Sequence, residues 1–80
     1  MQVSLSATLQ PAAEGLATIE IEARTIRELL ARLVERYPRM SAHMETGIAV
    51  SINGEIFRDT WREEIPAGSE VYLLPRLQGG

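Results

Sequence analysis

Eighty residues make one domain, too small to hold both a catalytic cleft and a substrate lobe. The net charge is −3 and all eight basic residues are arginine with no clustered basic patch, which argues against a nucleic-acid partner. No cysteine is present, which excludes disulfides, thiolate metal ligands, iron–sulfur clusters and a cysteine nucleophile, and no apolar run approaches the ~18 residues of a membrane span.

Val3, Leu5, Ala7 and Leu9 alternate with Gln2, Ser4, Ser6 and Thr8, which predicts a strand over Gln2 to Leu9 with one buried face. No basic stretch followed by an apolar one opens the chain, so the expected location is the cytoplasm. Gln10 to Gly15 reads as a loop, because Pro11 and Gly15 break regular structure. A second alternating run follows, with Ile19 and Ile21 inward against Thr18, Glu20 and Glu22, and the two strands are expected to form a hairpin.

Thr25-Ile26-Arg27-Glu28 is a helix start: Thr25 can cap the first free amides while Glu28 reaches back to the amide of the cap. Ile26, Leu29, Leu30, Leu33, Val34 and Tyr37 then recur on one helical face, with charged residues opposite. Pro38 ends the helix. The stretch Arg39 to Gly47 reads as a link whose Met40 and Met44 plug the edge of the core. His43, the only histidine, has no companion ligand around it and is read as a surface or loop residue, so no metal is expected. Ile48 to Ile52 is a strand, Asn53-Gly54 supplies the positive φ of a tight hairpin turn, and Glu55 to Phe57 is its short return. Arg58 to Glu64 is charged and irregular around Trp61, Ile65 to Gly68 is a turn, and Val71 to Leu74 is the last strand.

Strand, strand, helix, strand, short strand, strand implies an α+β fold with a mixed sheet of four to five strands and one packed helix, in ββαββ order. With the first and last strands parallel in the middle this is a β-grasp fold, the helix making the long crossover that a parallel neighbour requires. Residues 1–75 are expected to form the domain and 76–80 a flexible tail that ends in Gly79-Gly80. Without a Cβ, two terminal glycines can thread a narrow channel, which directs attention to the Gly80 carboxylate.

Three segments in this order resemble the MoaD/ThiS family of ubiquitin-like sulfur carriers. They are Thr25 to Leu30 running on to Tyr37-Pro38, then Val50 to Glu55, then Ile65 to Pro75 with the final Gly79-Gly80. The resemblance lies nearer the small subunit of molybdopterin synthase than the thiamine type, although the tail here is Pro75-Arg76-Leu77-Gln78-Gly79-Gly80. It implies no catalytic residue and no bound cofactor. An E1-like enzyme would use ATP to adenylate the Gly80 carboxylate, which is then converted to a thiocarboxylate that delivers sulfur to a synthase subunit.

Both faces of the last strand are apolar, Val71 and Leu73 on one and Tyr72 and Leu74 on the other, and only one can meet the helix. By comparison with ubiquitin, Tyr72 and Leu74 are expected to form an exposed partner-binding patch, with Arg76 and Leu77 as further contacts. The alternative is that the loop around Trp61 covers Tyr72 and Leu74. Two other functions stay open. The chain could be a modifier joined through Gly80 to lysines of other proteins, a role compatible with its own lack of lysine. It could instead be a non-covalent interaction module whose tail is incidental.

Overall fold

Alternation gives the first hairpin in the computed structural model, which describes residues 1–58 and 60–76. Strand β1 (Gln2–Leu5) pairs antiparallel with β2 (Thr18–Glu20), Val3 opposite Ile19, and Val3, Leu5, Ile19 and Ile21 are buried. The strand predicted as far as Leu9 stops at Leu5. Once the Ser6 amide has bonded the Leu73 carbonyl at 2.9 Å, the Leu9 and Gln10 amides fold back onto the Ser6 carbonyl at 3.0 and 3.2 Å. Leu9 still reaches the core, through this turn rather than through the pleat, while Ala7 is exposed. Gln10–Ala13, expected to be a plain loop, is a 3₁₀ turn that buries Ala12 and Ala13.

Helix α1 (Ile26–Arg36) starts where the cap was expected, with the Glu28 amide donating to Thr25 Oγ1 at 3.2 Å. The reciprocal bond differs by one residue. Glu28 Oε1 accepts from the Arg24 amide at 2.8 Å, while Thr25, extended, bridges to Glu64. The Ile26 and Arg27 amides donate to the carbonyls of Glu63 and Trp61 at 3.0 and 2.9 Å. The first three amides of the helix, which have no intrahelical acceptor, are therefore all satisfied.

Ile26, Leu29, Leu30 and Leu33 turn inward, and the helix closes with the Tyr37 amide on the Leu33 carbonyl. The link expected after Pro38 is instead ordered as a 3₁₀ turn, Pro38–Met40, running into a second helix, α2 (Ser41–Thr46). Proline suits the first position of such a turn, where its missing N–H costs nothing. Met40, fully buried, and Met44, packed on the core one turn later, hold α2 in place.

Strands β3 (Ile48–Ile52) and β4 (Glu55–Phe57) form the second hairpin, with Asn53 at φ 51° and Gly54 at φ 89°. Strand β5 (Val71–Pro75) lies in the centre of a five-stranded sheet of order β2-β1-β5-β3-β4, parallel to β1 and antiparallel to β3. This is the expected β-grasp arrangement, with a second short helix added.

The outer edge of β2 is covered. Antiparallel pairing aims the Glu20 and Glu22 carbonyls away from β1, and Arg36 and Arg32 of α1 donate to them, Arg32 Nη1 at 2.5 Å from the Glu22 oxygen. A sheet edge with occupied acceptors is a poor template for another strand. Among the described residues, no helix is long and apolar enough to cross a membrane.

Candidate functional site: the open sheet face and the exit of the last strand

The pleat of β5 divides its side chains between two environments. Val71 and Leu73 are 3% and 0% exposed in the core, and Tyr72 and Leu74 point to the opposite face of the sheet. Tyr72 is 42% exposed and Leu74 half-buried. Register places Thr18, Ser4, Tyr72, Ser51 and Ile56 in one row across all five strands. The small hydroxyl side chains beside Tyr72 leave its ring flanks uncovered. Ile56, at the end of the row, is 51% exposed, and Leu74 lies directly across from Ala49. Ile56 and, across Ser51, Tyr72 and Leu74 thus form an interrupted apolar strip on a face that no helix among the described residues covers.

Toward the start of β5 the face dips into a groove of mixed character, lined by Met1, Gln2, Ser4, Ser51, Glu70 and Tyr72 among others. Asn53 shapes this end: its Oδ1 accepts from the Glu70 amide, and its own amide donates to the Glu70 carbonyl, each at 2.9 Å. At the sheet's corner the Met1 ammonium lies between Glu22 and Glu20. Its hydrogen bond to Glu22 is the main reason that its pKa is raised above the ordinary value and that of Glu22 is lowered.

The Trp61 loop does not cover Tyr72 and Leu74. Its carbonyls are engaged at the start of α1, on the other side of the sheet, and the Trp61 ring stands 44% exposed beside Arg27 and Arg62. Arg76 is exposed at the end of β5, and its amide donates to the Gly47 carbonyl at 3.0 Å. Leu77, Gly79 and Gly80, the remaining predicted site residues, lie outside the described residues. Among the described residues, no cluster of three or more histidine, cysteine, aspartate or glutamate residues could hold a metal ion.

Sequence reasoning overlooked Ile56. The signal was present, since a two-residue turn at Asn53-Gly54 sets Ile56 opposite Ser51 and hence on the open face.

A β-grasp body whose central strand carries exposed apolar residues, and whose sequence runs on into a Gly-Gly tail, defines a ubiquitin-like protein of the carrier and modifier type. The model of the ThiS family matches residues 3–80, and the chain belongs to that family. Its members are small carrier and modifier proteins. No curated protein sequence matches the chain.

Among solved structures, the chain is similar to the Amycolatopsis orientalis BexX/CysO complex, at 24% identity and a TM-score of 0.77, over 99% of this chain and 98% of that one. It is similar to small archaeal modifier protein 1 of Haloferax volcanii, at 27% identity and a TM-score of 0.73, over 100% and 98%. A putative molybdopterin converting factor subunit 1 from Pyrococcus furiosus is also similar, at 23% identity and a TM-score of 0.76, over 95% of each chain.

Proposed function

We propose that this protein is a sulfur carrier whose Gly80 carboxylate is activated with ATP by a partner enzyme and then converted to a thiocarboxylate. The observation that carries this reading is the match to the ThiS family over residues 3–80, which takes in the Gly79-Gly80 tail. A carboxylate is a poor acyl donor because its charge repels nucleophiles and it has no good leaving group. In the proposed chemistry, a Gly80 oxygen attacks the α-phosphorus of ATP and pyrophosphate departs. A hydrosulfide-level nucleophile then attacks the carbonyl carbon, and AMP leaves with the electrons of the broken C–O bond. The chain supplies the acyl group, and the adenylating enzyme supplies the site and the nucleotide.

On this reading, the strip of Ile56, Tyr72 and Leu74 is the surface that the adenylating enzyme and the sulfur-accepting synthase grip, with Arg76 and Leu77 as contacts closer to the reacting end. Exposed aromatic and aliphatic side chains flanked by small polar ones are suited to such anchoring. The segments shared with carriers of molybdopterin synthesis make that pathway the first to test. Thiamine synthesis and other sulfur transfers are the variants.

A second reading has its own support. The likeness to a small archaeal modifier protein at 27% identity favours attachment of Gly80 to lysines of other proteins. Both readings require a free Gly80 carboxylate, and one experiment tests what they share. Adding a single alanine after Gly80 should leave the urea-denaturation curve unchanged and abolish ATP-dependent activation. Full activation without removal of that residue would contradict both.

A further inference from the structure

Gly47 stands between α2 and β3 with φ +109°, a backbone region closed to residues with a side chain. It differs from the other positive-φ glycines among the described residues. A Cβ at Gly15, Gly54 or Gly68 would meet nothing within 4 Å, so those glycines serve their turns. A Cβ at residue 47 would come to 3.0 Å from Cδ and 3.1 Å from Cβ of Arg76. The aliphatic stem of Arg76 therefore lies flat on the bare Cα of Gly47, and the Arg76 amide bonds the Gly47 carbonyl at 3.0 Å. Pro75, paired with Ile48 at the end of the β3–β5 ladder, has no N–H, so this bond is the first that the chain can donate beyond it.

We propose that Gly47 is a positioning residue: by holding both the backbone and the side-chain stem of Arg76, it sets where the carboxyl-terminal residues leave the domain relative to Tyr72 and Leu74. The proposal rests on the reading of Gly80 as the reacting end. Its physical basis is reach. Four residues beyond Arg76 span at most about 14 Å when extended. A body gripped by its sheet face delivers the carboxylate to a fixed point only if the start of that short tether is also fixed. Releasing residue 76 dilutes the carboxylate at the enzyme's active site while leaving Ile56, Tyr72 and Leu74 in place.

The experiment is steady-state ATP–pyrophosphate exchange with the adenylating enzyme purified from the source cells, combined with amide hydrogen exchange on the free carrier. Gly47→Ala is expected to abolish protection of the Arg76 amide. It should also lower kcat by roughly tenfold to a hundredfold, the size of effect that misplacement by about 1 Å produces, with little change in KM for the carrier. Tyr72→Ala should do the reverse, raising KM. Gly15→Ala introduces the same kind of backbone strain far from the tail and should leave kcat unchanged. In an Arg76→Gly background, the Gly47→Ala change should reduce kcat by a clearly smaller factor than in the parent, because the side-chain half of the contact is already gone while the amide bond to the Gly47 carbonyl remains.

A kcat for Gly47→Ala within about twofold of the parent would overturn the proposal, as would an equal fold-loss in the Arg76→Gly background. If Gly47→Ala does not fold, Arg76→Gly decides by both readouts: a lowered kcat together with lost protection of the residue-76 amide supports the anchor, and an unchanged kcat or unchanged protection refutes it. Absence of exchange with the unmodified chain would instead defeat the functional reading. The hydrogen-exchange result would then still report whether Gly47 holds Arg76.

Discussion

Tyr72 and Leu73 are neighbours on the central strand with opposite fates, and truncating each in turn measures the assignment of faces. Leu73 is 0% exposed and sits between Leu5 and Val50. Leu73→Ala leaves a cavity that the two flanking strands cannot close and should cost about 2–5 kcal/mol. An 80-residue domain has roughly 4–12 kcal/mol in total, so the variant should be severely weakened or partly unfolded at room temperature.

Tyr72 keeps about two-fifths of its surface in water and has only Ser4 and Ser51 opposite it. Full burial of a large apolar side chain contributes about 1.5–3 kcal/mol, so Tyr72→Ala should cost about 1 kcal/mol, a fall of roughly 4–8 °C in Tm. Urea denaturation followed by far-UV circular dichroism and by the fluorescence of the single tryptophan, Trp61, gives both values. The slope of free energy against urea should stay constant between the parent and Tyr72→Ala. A Tyr72→Ala cost equal to or greater than that of Leu73→Ala would refute the face assignment, and the proposed docking strip with it.

Three further outcomes follow from particular contacts. Thr25→Ala removes the acceptor for the Glu28 amide but leaves the Ile26 and Arg27 amides bonded to the loop, so it should cost about 1 kcal/mol in urea denaturation. Asn53→Ala loses the bond to the Glu70 amide and places alanine at φ 51°, with an expected cost of about 2 kcal/mol, whereas Asn53→Gly should recover the backbone part. Replacing Arg32 and Arg36 together with alanine uncovers the Glu20 and Glu22 carbonyls at the edge of β2, and concentration-dependent self-association should appear in sedimentation velocity.

What could be read before the structure was what repeats or what a single residue dictates. The 3.6-residue spacing from Ile26 to Leu33 and the Thr25 cap specified α1, and Asn53-Gly54 specified the second hairpin with its register. The outward face of β5 came from the comparison with ubiquitin, because Val71 and Leu73 are as apolar as Tyr72 and Leu74 and alternation alone allows either face. What escaped depends on contacts between distant segments. Strand β1 ends at Leu5 because a turn closes on the Ser6 carbonyl, and alternation continuing through Leu9 carries no trace of that turn. Helix α2 has no fully buried residue and too few turns to announce itself, and it is held by Met40 and Met44 packing on a core formed by other elements. Gly47 reads in sequence as one more turn glycine, and its role emerges only when Arg76 is found lying across it.

The measurement that bears most directly on the sulfur-carrier reading is the intact mass of the protein from its native cells, taken without reducing agents and followed by fragmentation of the carboxyl-terminal peptide. The reading requires a species heavier by the difference between a sulfur and an oxygen atom, with the change confined to Gly80. Gly80 found only in isopeptide linkage to lysines of other proteins, or only as the free carboxylate under growth that demands sulfur transfer, would contradict it.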